Sequence, residues 1–299
     1  MKKQDFDKIL ENYNLGKFKK TKQITREDTG AQDCFIITTS KGKYFLKTYW
    51  KDFKCIKRGL ELLHFLEKKN YPSIKIIQTK KKNNYLLYKK KPMAIFEFIS
   101  IKHTKRPTIQ AYEFGKTLGR LHKLTKSSRF RSTKGPEFYL RLFNKSKNHH
   151  KNPPKLLKEL KIYAEKFLKD FKIPKNQPKA LCHEEFTTEH VKFKGNKVYK
   201  VIDWDEINRG FMLFDLGMTL TIGIRNKKLL KSILKGYESQ RKLTEWEKSH
   251  LYEAIMSGML RYFVWGLDEP LRWYYIAHLK RIKYLKELGK EKFQKSIQF

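Results

Sequence analysis

Cysteine is scarce in this chain of 299 residues: Cys34, Cys55 and Cys182 are an odd, widely spaced set with no C-x-x-C pair. That pattern excludes a disulfide framework and the paired-thiol form of a zinc site, and it fits a reducing cytosol. Long apolar runs are missing too. None approaches the roughly 20 residues that a membrane helix needs. The opening stretch MKKQDFDKILENY follows its two lysines with acids instead of the apolar region of a signal peptide. The expectation is a soluble, cytoplasmic protein with no membrane insertion. Internal repeats and linkers rich in Gly or Ser are also absent, which argues against a string of modules. Arginine is sparse beside lysine. A formal charge of +38 with a pI near 10.0 ordinarily points to a polyanionic partner. Base and phosphate readers lean on Arg as well as Lys, however. Here lysines run along the whole length, a spread that an AT-rich genome explains, so nucleic acid is not the expected partner.

What is present is a chain that folds, with 39% hydrophobic and 14% aromatic residues. The first third alternates short runs rich in β-branched and aromatic residues: FKKTKQIT, CFIITT, KYFLKTYW, SIKIIQT, NYLLY and MAIFEFISI. SKGK between the second and third is a hairpin signal, and the lysine runs 80–82 and 89–91 mark solvated hairpin ends. One helix interrupts the strands, with Ile56, Leu60, Leu63 and Leu66 at helical spacing and Asn70-Tyr71-Pro72 as its stop. After about residue 105 the pattern is helical; TIQAYEFGKTLGRLHKLT places Ala111, Phe114, Gly115, Leu118, Leu121 and His122 on one face. KNHHKNPPK reads as a loop. The sum is an α+β architecture in two lobes: residues 1–99 as a small antiparallel sheet with one helix, and 100–299 as a larger, mainly helical lobe carrying a short β-hairpin.

That hairpin lies in ALCHEEFTTEHVKFKGNKVYKVIDWDE, residues 180–206, which gathers two histidines and a cluster of carboxylates. A zinc reading of His183, Glu184 and His190 lacks both the H-E-x-x-H spacing and a nearby Cys pair. Asp203 and Asp205 are the kind of pair that also forms turns, but Asp203 follows KVI and precedes Trp204. In such a buried-looking strand an unpaired charge costs several kcal/mol, and a metal ion relieves it. Alone, Lys47 reads as a solvated strand residue and Glu61 as the polar flank of a helix. His122 reads as structural and His149-His150 as loop residues.

CHEEFTTEHVKF, VIDWDE and LFDLG together resemble the aminoglycoside phosphotransferase and choline kinase superfamily, whose relatives include homoserine kinases and which is kin to protein kinases. That family shows H-G-D-x-x-x-x-N, a short hairpin, I-D-W or I-D-F, and then F-D-L, in the order kept here. The resemblance implies a two-lobed protein-kinase-like fold and transfer of the γ-phosphate of ATP to a hydroxyl of a small molecule such as an amino alcohol, sugar or aminoglycoside. It implies ATP and Mg2+ as cofactors. Phosphoryl transfer needs a cation for the phosphates, carboxylates for magnesium and an acid beside the acceptor hydroxyl. Residue by residue, His183 matches the motif His that braces the loop and Asp215 the Asp that hydrogen-bonds it. Glu185 falls where the catalytic Asp belongs and His190 where the metal-binding Asn belongs; Asp203 matches the magnesium-chelating Asp, with Asp205 as a second ligand or a water holder. Lys47 matches the lysine that grips the α- and β-phosphates, with Glu61 as its ion-pair partner and Glu67 in reserve. Gly30, in REDTGAQD, stands where the phosphate-covering turn belongs, and Phe96, Glu97 and Phe98 where the adenine sits. The acceptor pocket is expected to be lined from RSTKGPEFYLRLF and GMLRYFVWGLDEPLRWYY, whose aromatics can equally be core. Glu is a methylene longer than Asp, and about an ångström of misplacement can cost on the order of a hundredfold in rate. A kinase-like binding protein that transfers nothing is therefore the alternative.

Overall fold

A computed structural model describes residues 1–24, 33–49, 53–100, 107–127, 162–163, 165–167, 169–268 and 272–297, with side chains left out at 53–56, 107, 263–268 and 272–277. The chain divides into two compact units. The first comprises Met1–Lys102 with Tyr199–Glu206; the second comprises His103–Val198 with Ile207–Phe299.

In the first unit the β-branched and aromatic runs become a six-stranded sheet: β1 (Phe18–Ile24), β2 (Cys34–Thr39), β3 (Gly42–Thr48), β4 (Ile76–Ile77), β5 (Leu86–Tyr88) and β6 (Lys91–Glu97). Their order is β1-β2-β3-β6-β4, with β5 also on β6, and every pairing is antiparallel. Lys47 sits opposite Cys34 on one side and Ala94 on the other. The alternation of β3 sends Leu46 into the core and Lys47 to the other face. Among the described residues two helices accompany the sheet, not the one expected: α1 (Lys3–Leu10) precedes β1, and α2 (Phe53–Lys68) follows β3. Phe6, Ile9, Leu10 and Tyr13, spaced three and four apart, pack with Phe35, Ile37, Leu46 and Ile95. The acids of this stretch form its polar side: Asp5 accepts the Lys2 N–H at 2.7 Å and closes the first turn. The lysines at 89 and 90 both adopt positive φ, 49° and 63°, in the tight turn from β5 to β6.

Residues Tyr199–Glu206 were expected in the helical lobe, but they pack with the first unit. The Val201 carbonyl accepts the Ile74 N–H at 2.8 Å, the Val201 N–H donates to Pro72 at 2.6 Å, and the Trp204 ring meets Tyr71 edge-on at 6.0 Å. Two strand hydrogen bonds and an aromatic contact outweigh chain proximity to the helices.

The second unit contains α3 (Pro107–Thr125), β7 (Lys179–Cys182), β8 (Val191–Lys194), β10 (Asn208–Phe211), α4 (Met212–Leu220), α5 (Lys227–Glu238), α6 (Glu245–Ser249), α7 (Leu251–Asp268), α8 (Arg272–Leu288) and α9 (Lys290–Ile297). β9 (Lys197–Val201) pairs with β8 and carries the chain from one unit into the other. β7 and β10 pair antiparallel, Cys182 opposite Asn208. Helices α3 and α5 meet backbone to backbone: a Cβ added to Gly115 would collide with the Ile233 carbonyl, and one added to Gly236 with that of Tyr112. All nine residues of α4 are buried. No helix among the described residues is long and apolar enough to cross a membrane.

Candidate active site

Lys47 is the centre of the first unit's candidate site. Its side chain is 9% exposed, and Nζ lies 3.0 Å from Asp203 Oδ1 and 2.6 Å from Asp205 Oδ2. Burial opposes the ammonium charge, yet the two carboxylates outweigh it and hold the Lys47 pKa well above its ordinary value. The Tyr49 ring centroid lies 5.8 Å from Nζ; burial first, then the Asp205 charge, raises the phenol well above its usual range. Asp203 has φ of +63°, a conformation that costs a non-glycine residue on the order of 1 kcal/mol or more. The turn is held by Trp204, 4% exposed, whose Nε1–H donates to the Val201 carbonyl at 3.0 Å. Two carboxylates against one ammonium leave an excess of negative charge, and carboxylate oxygens are what a hard cation such as magnesium takes.

The expected Lys47–Glu61 pair does not form: Glu61 is exposed on α2, and the carboxylates beside Lys47 are Asp203 and Asp205. The reserve, Glu67, faces Lys75 at 3.3 Å. These two acids on the far side of Lys47 were legible only as metal ligands, because a contact across 156 positions leaves no spacing signal. The Glu97 side chain accepts the Lys75 N–H at 2.7 Å and pairs with Lys200 at 2.5 Å. Phe98 has Lys43 Nζ at 6.0 Å from its ring, and Phe96 is buried. Gly30 and RSTKGPEFYLRLF lie outside the described residues.

In the second unit β7 delivers the loop 183–190, which is anchored at its start by a fully buried carboxylate. Asp215, in the first turn of α4, accepts the His183 N–H at 2.8 Å on Oδ2 and the Glu184 N–H at 2.9 Å on Oδ1. His122 Nε2 lies 3.1 Å from the same carboxylate. Burial pushes the Asp215 carboxyl up, but the His122 hydrogen bond and the charges around it hold its pKa below the ordinary value. The network continues inward: Tyr237 OH is 2.7 Å from His122 Nδ1, and Arg241 donates to Tyr237 OH at 3.2 Å and pairs with Glu247 at 2.5 Å. Every donor finds an acceptor when Nε2 carries the His122 proton. Glu247 also closes α6 by a capping box with Thr244.

Further along the loop, the Glu185 N–H donates to His183 Nδ1 at 3.3 Å, and His190 Nδ1–H donates to the Glu185 carbonyl at 2.8 Å. That bond fixes the His190 tautomer and makes Nε2 the nitrogen that could serve as a metal ligand, as in a metal-binding imidazole whose other nitrogen donates to a carbonyl. Glu185 itself is partly exposed, its Oε2 3.9 Å from His190 Nδ1. Glu184, passed over in the sequence except as a zinc ligand, is 3% exposed and has φ of +68°. Its carboxylate accepts from Arg261 of α7 at 2.7 Å, and its carbonyl accepts from the same guanidinium. The sequence did hold a signal: a glutamate occupies the glycine position of H-G-D, where positive φ is easy only for glycine. His122 had one too, since an imidazole on an otherwise apolar helix face must find polar partners.

The family model described as "Phosphotransferase enzyme family" matches residues 24–252. A homoserine kinase of Caulobacter vibrioides (strain NA1000 / CB15N) is 27% identical over 280 residues, covering 89% of this chain and 87% of that one. Among solved structures, an amicoumacin kinase in complex with AMP-PNP, Ca2+ and Ami superposes with a TM-score of 0.68 at 13% identity, over 95% of this chain and 96% of that chain. A microcompartment-associated aminopropanol kinase gives 0.68 at 12% identity, over 98% of each. Likeness at this identity shows the fold, the protein-kinase-like α+β arrangement implied by the motifs.

Proposed function

The chain belongs to the phosphotransferase enzyme family and is a phosphotransferase acting on a hydroxyl, and we propose that it moves the γ-phosphate of ATP to a small amino alcohol. The observation that carries this is the Lys47 clasp: one buried ammonium between Asp203 and Asp205, at 3.0 and 2.6 Å. In this reading Lys47 grips the α- and β-phosphates, while Phe96, Glu97, Phe98 and Gly30 take the rest of the nucleotide. Asp203, Asp205 and His190 would hold magnesium. Magnesium, when bound, neutralises charge on the phosphates. Glu185 orients the acceptor hydroxyl. Transfer forms a bond from the acceptor oxygen to Pγ and breaks the bond from Pγ to the bridging oxygen, releasing ADP; the hydroxyl proton passes late to the Glu185 carboxylate. His183 and Asp215 hold the loop. Similarity to proteins named homoserine kinase is the reason to try homoserine first among the acceptors. Cys34 and Cys182 are buried, and the odd, widely spaced cysteines support a reducing, cytoplasmic setting.

A panel of amino alcohols, sugars and aminoglycosides, incubated with ATP with and without magnesium, tests the proposal. Magnesium-dependent phosphate incorporation into an amino alcohol is expected; none into any acceptor refutes it. Glutamates at 184 and 185, where the motif has Gly and Asp, favour a second reading: nucleotide binding without transfer. ATP binding with no turnover in any acceptor is its signature.

A further inference from the structure

Two departures from H-G-D stand side by side, and the structure couples them. Arg261 donates to the carbonyl of Glu184, which belongs to the same peptide unit as the N–H of Glu185. The other edge of that peptide is held by His183, whose Nδ1 accepts the Glu185 N–H at 3.3 Å. Asp215 holds the preceding peptide through the Glu184 N–H at 2.9 Å. The orientation of the peptide before Glu185, and with it the direction in which the Glu185 side chain leaves the backbone, is therefore fixed by three contacts, two on that peptide and one on its predecessor. Only one of the three, Arg261, comes from α7, far along the chain. Its side chain is 10% exposed, and the guanidinium is itself fixed by the Glu184 carboxylate at 2.7 Å and lies 3.0 Å from Met218 Sδ of α4. A glycine at 184 would leave Arg261 without that carboxylate, and a shorter side chain at 261 would leave the carbonyl without its charged donor.

We propose that Arg261, held by Glu184, is a positioning residue for phosphoryl transfer: it sets the peptide plane that aims the longer acid at 185. The inference rests on the reading of Glu185 as the acid beside the acceptor. Removing Arg261 alone takes a charged partner from a buried carboxylate and can unfold the chain, so the decisive variant is the double change E184G/R261M. It removes both charges and gives the positive-φ position to glycine. Measured on the full chain, the double variant is expected to melt near the native temperature, to lose at least about tenfold in kcat with the KM for ATP within about twofold, and to shift the ring resonances of His183 and His190. R261K, which keeps a donor but not the fork, is expected to fall in between. A folded double variant with native kcat, beside an inactive E185Q, overturns the inference. Native turnover in E185Q overturns the reading of Glu185 instead. The imidazole resonances then decide: unmoved in the double variant, they overturn the clamp as well.

Discussion

The two units hold their reactive groups in different ways. In the first, a side-chain ammonium is clasped by two carboxylates, with exposures of 14% and 20% at the acids. In the second, a fully buried Asp215 grips backbone N–H groups of a loop, and a buried histidine and tyrosine stand behind it. An ionic clasp near solvent can reopen when a cation and phosphates offer the same charges better partners. A hydrogen-bonded frame with no exposed member cannot reopen without unfolding. Substitutions in the clasp should therefore cost activity, and those in the frame should cost stability.

D203N sharpens this contrast most. It removes a proposed metal ligand while placing at positive φ a residue that tolerates it, so kcat should fall by about a thousandfold or more with the melting temperature unchanged or slightly raised. A parallel loss of fold would break the distinction. D215A is the reverse: it strands the His122 Nε2–H and two loop N–H groups, and about 3 kcal/mol or more of stability should go, read as a melting temperature lower by roughly 5–10 °C.

How much of this was legible beforehand follows the same divide. Strands, helices and the loop bearing Glu185 are local patterns, and the sequence displays them through alternation, spacing and the order of three short motifs. The N-terminal helix went unread because its acids dominated the signal over Phe6, Ile9, Leu10 and Tyr13. Partner choice was not legible: Lys47 meets acids 156 and 158 positions away instead of Glu61 on the next helix, and Arg261 reaches back 77 positions to Glu184. Such pairs depend on how elements stack, which no periodicity encodes.

A third expectation concerns acid. Burial, followed by the charge of Arg281, lowers the His278 pKa from 6.5 to about 3. The unfolded chain therefore binds the proton more readily between those values, so this stability is present above pH 6.5 and is lost as pH falls toward 3, by about 1.4 kcal/mol per pH unit. Urea titrations between pH 7 and 4 should show that slope, and H278F should flatten it; an equal slope in both sinks the assignment. The smallest effect belongs to Y237F. The Tyr237 hydroxyl lies behind His122 and touches nothing that reacts, so about 1 kcal/mol of stability should be lost with kcat within about twofold. A tenfold loss of kcat would mean that the frame does more than hold the loop.

The claim at the centre is that Glu185, carried on that frame, takes part in moving a phosphate to a hydroxyl. Single-turnover transfer from radiolabelled ATP to homoserine or another accepted amino alcohol, followed in the native chain and in E185Q with magnesium saturating, tests it directly. The account predicts labelled phosphoester from the native chain and a rate lower by at least about a hundredfold in E185Q; equal rates in the two would contradict it.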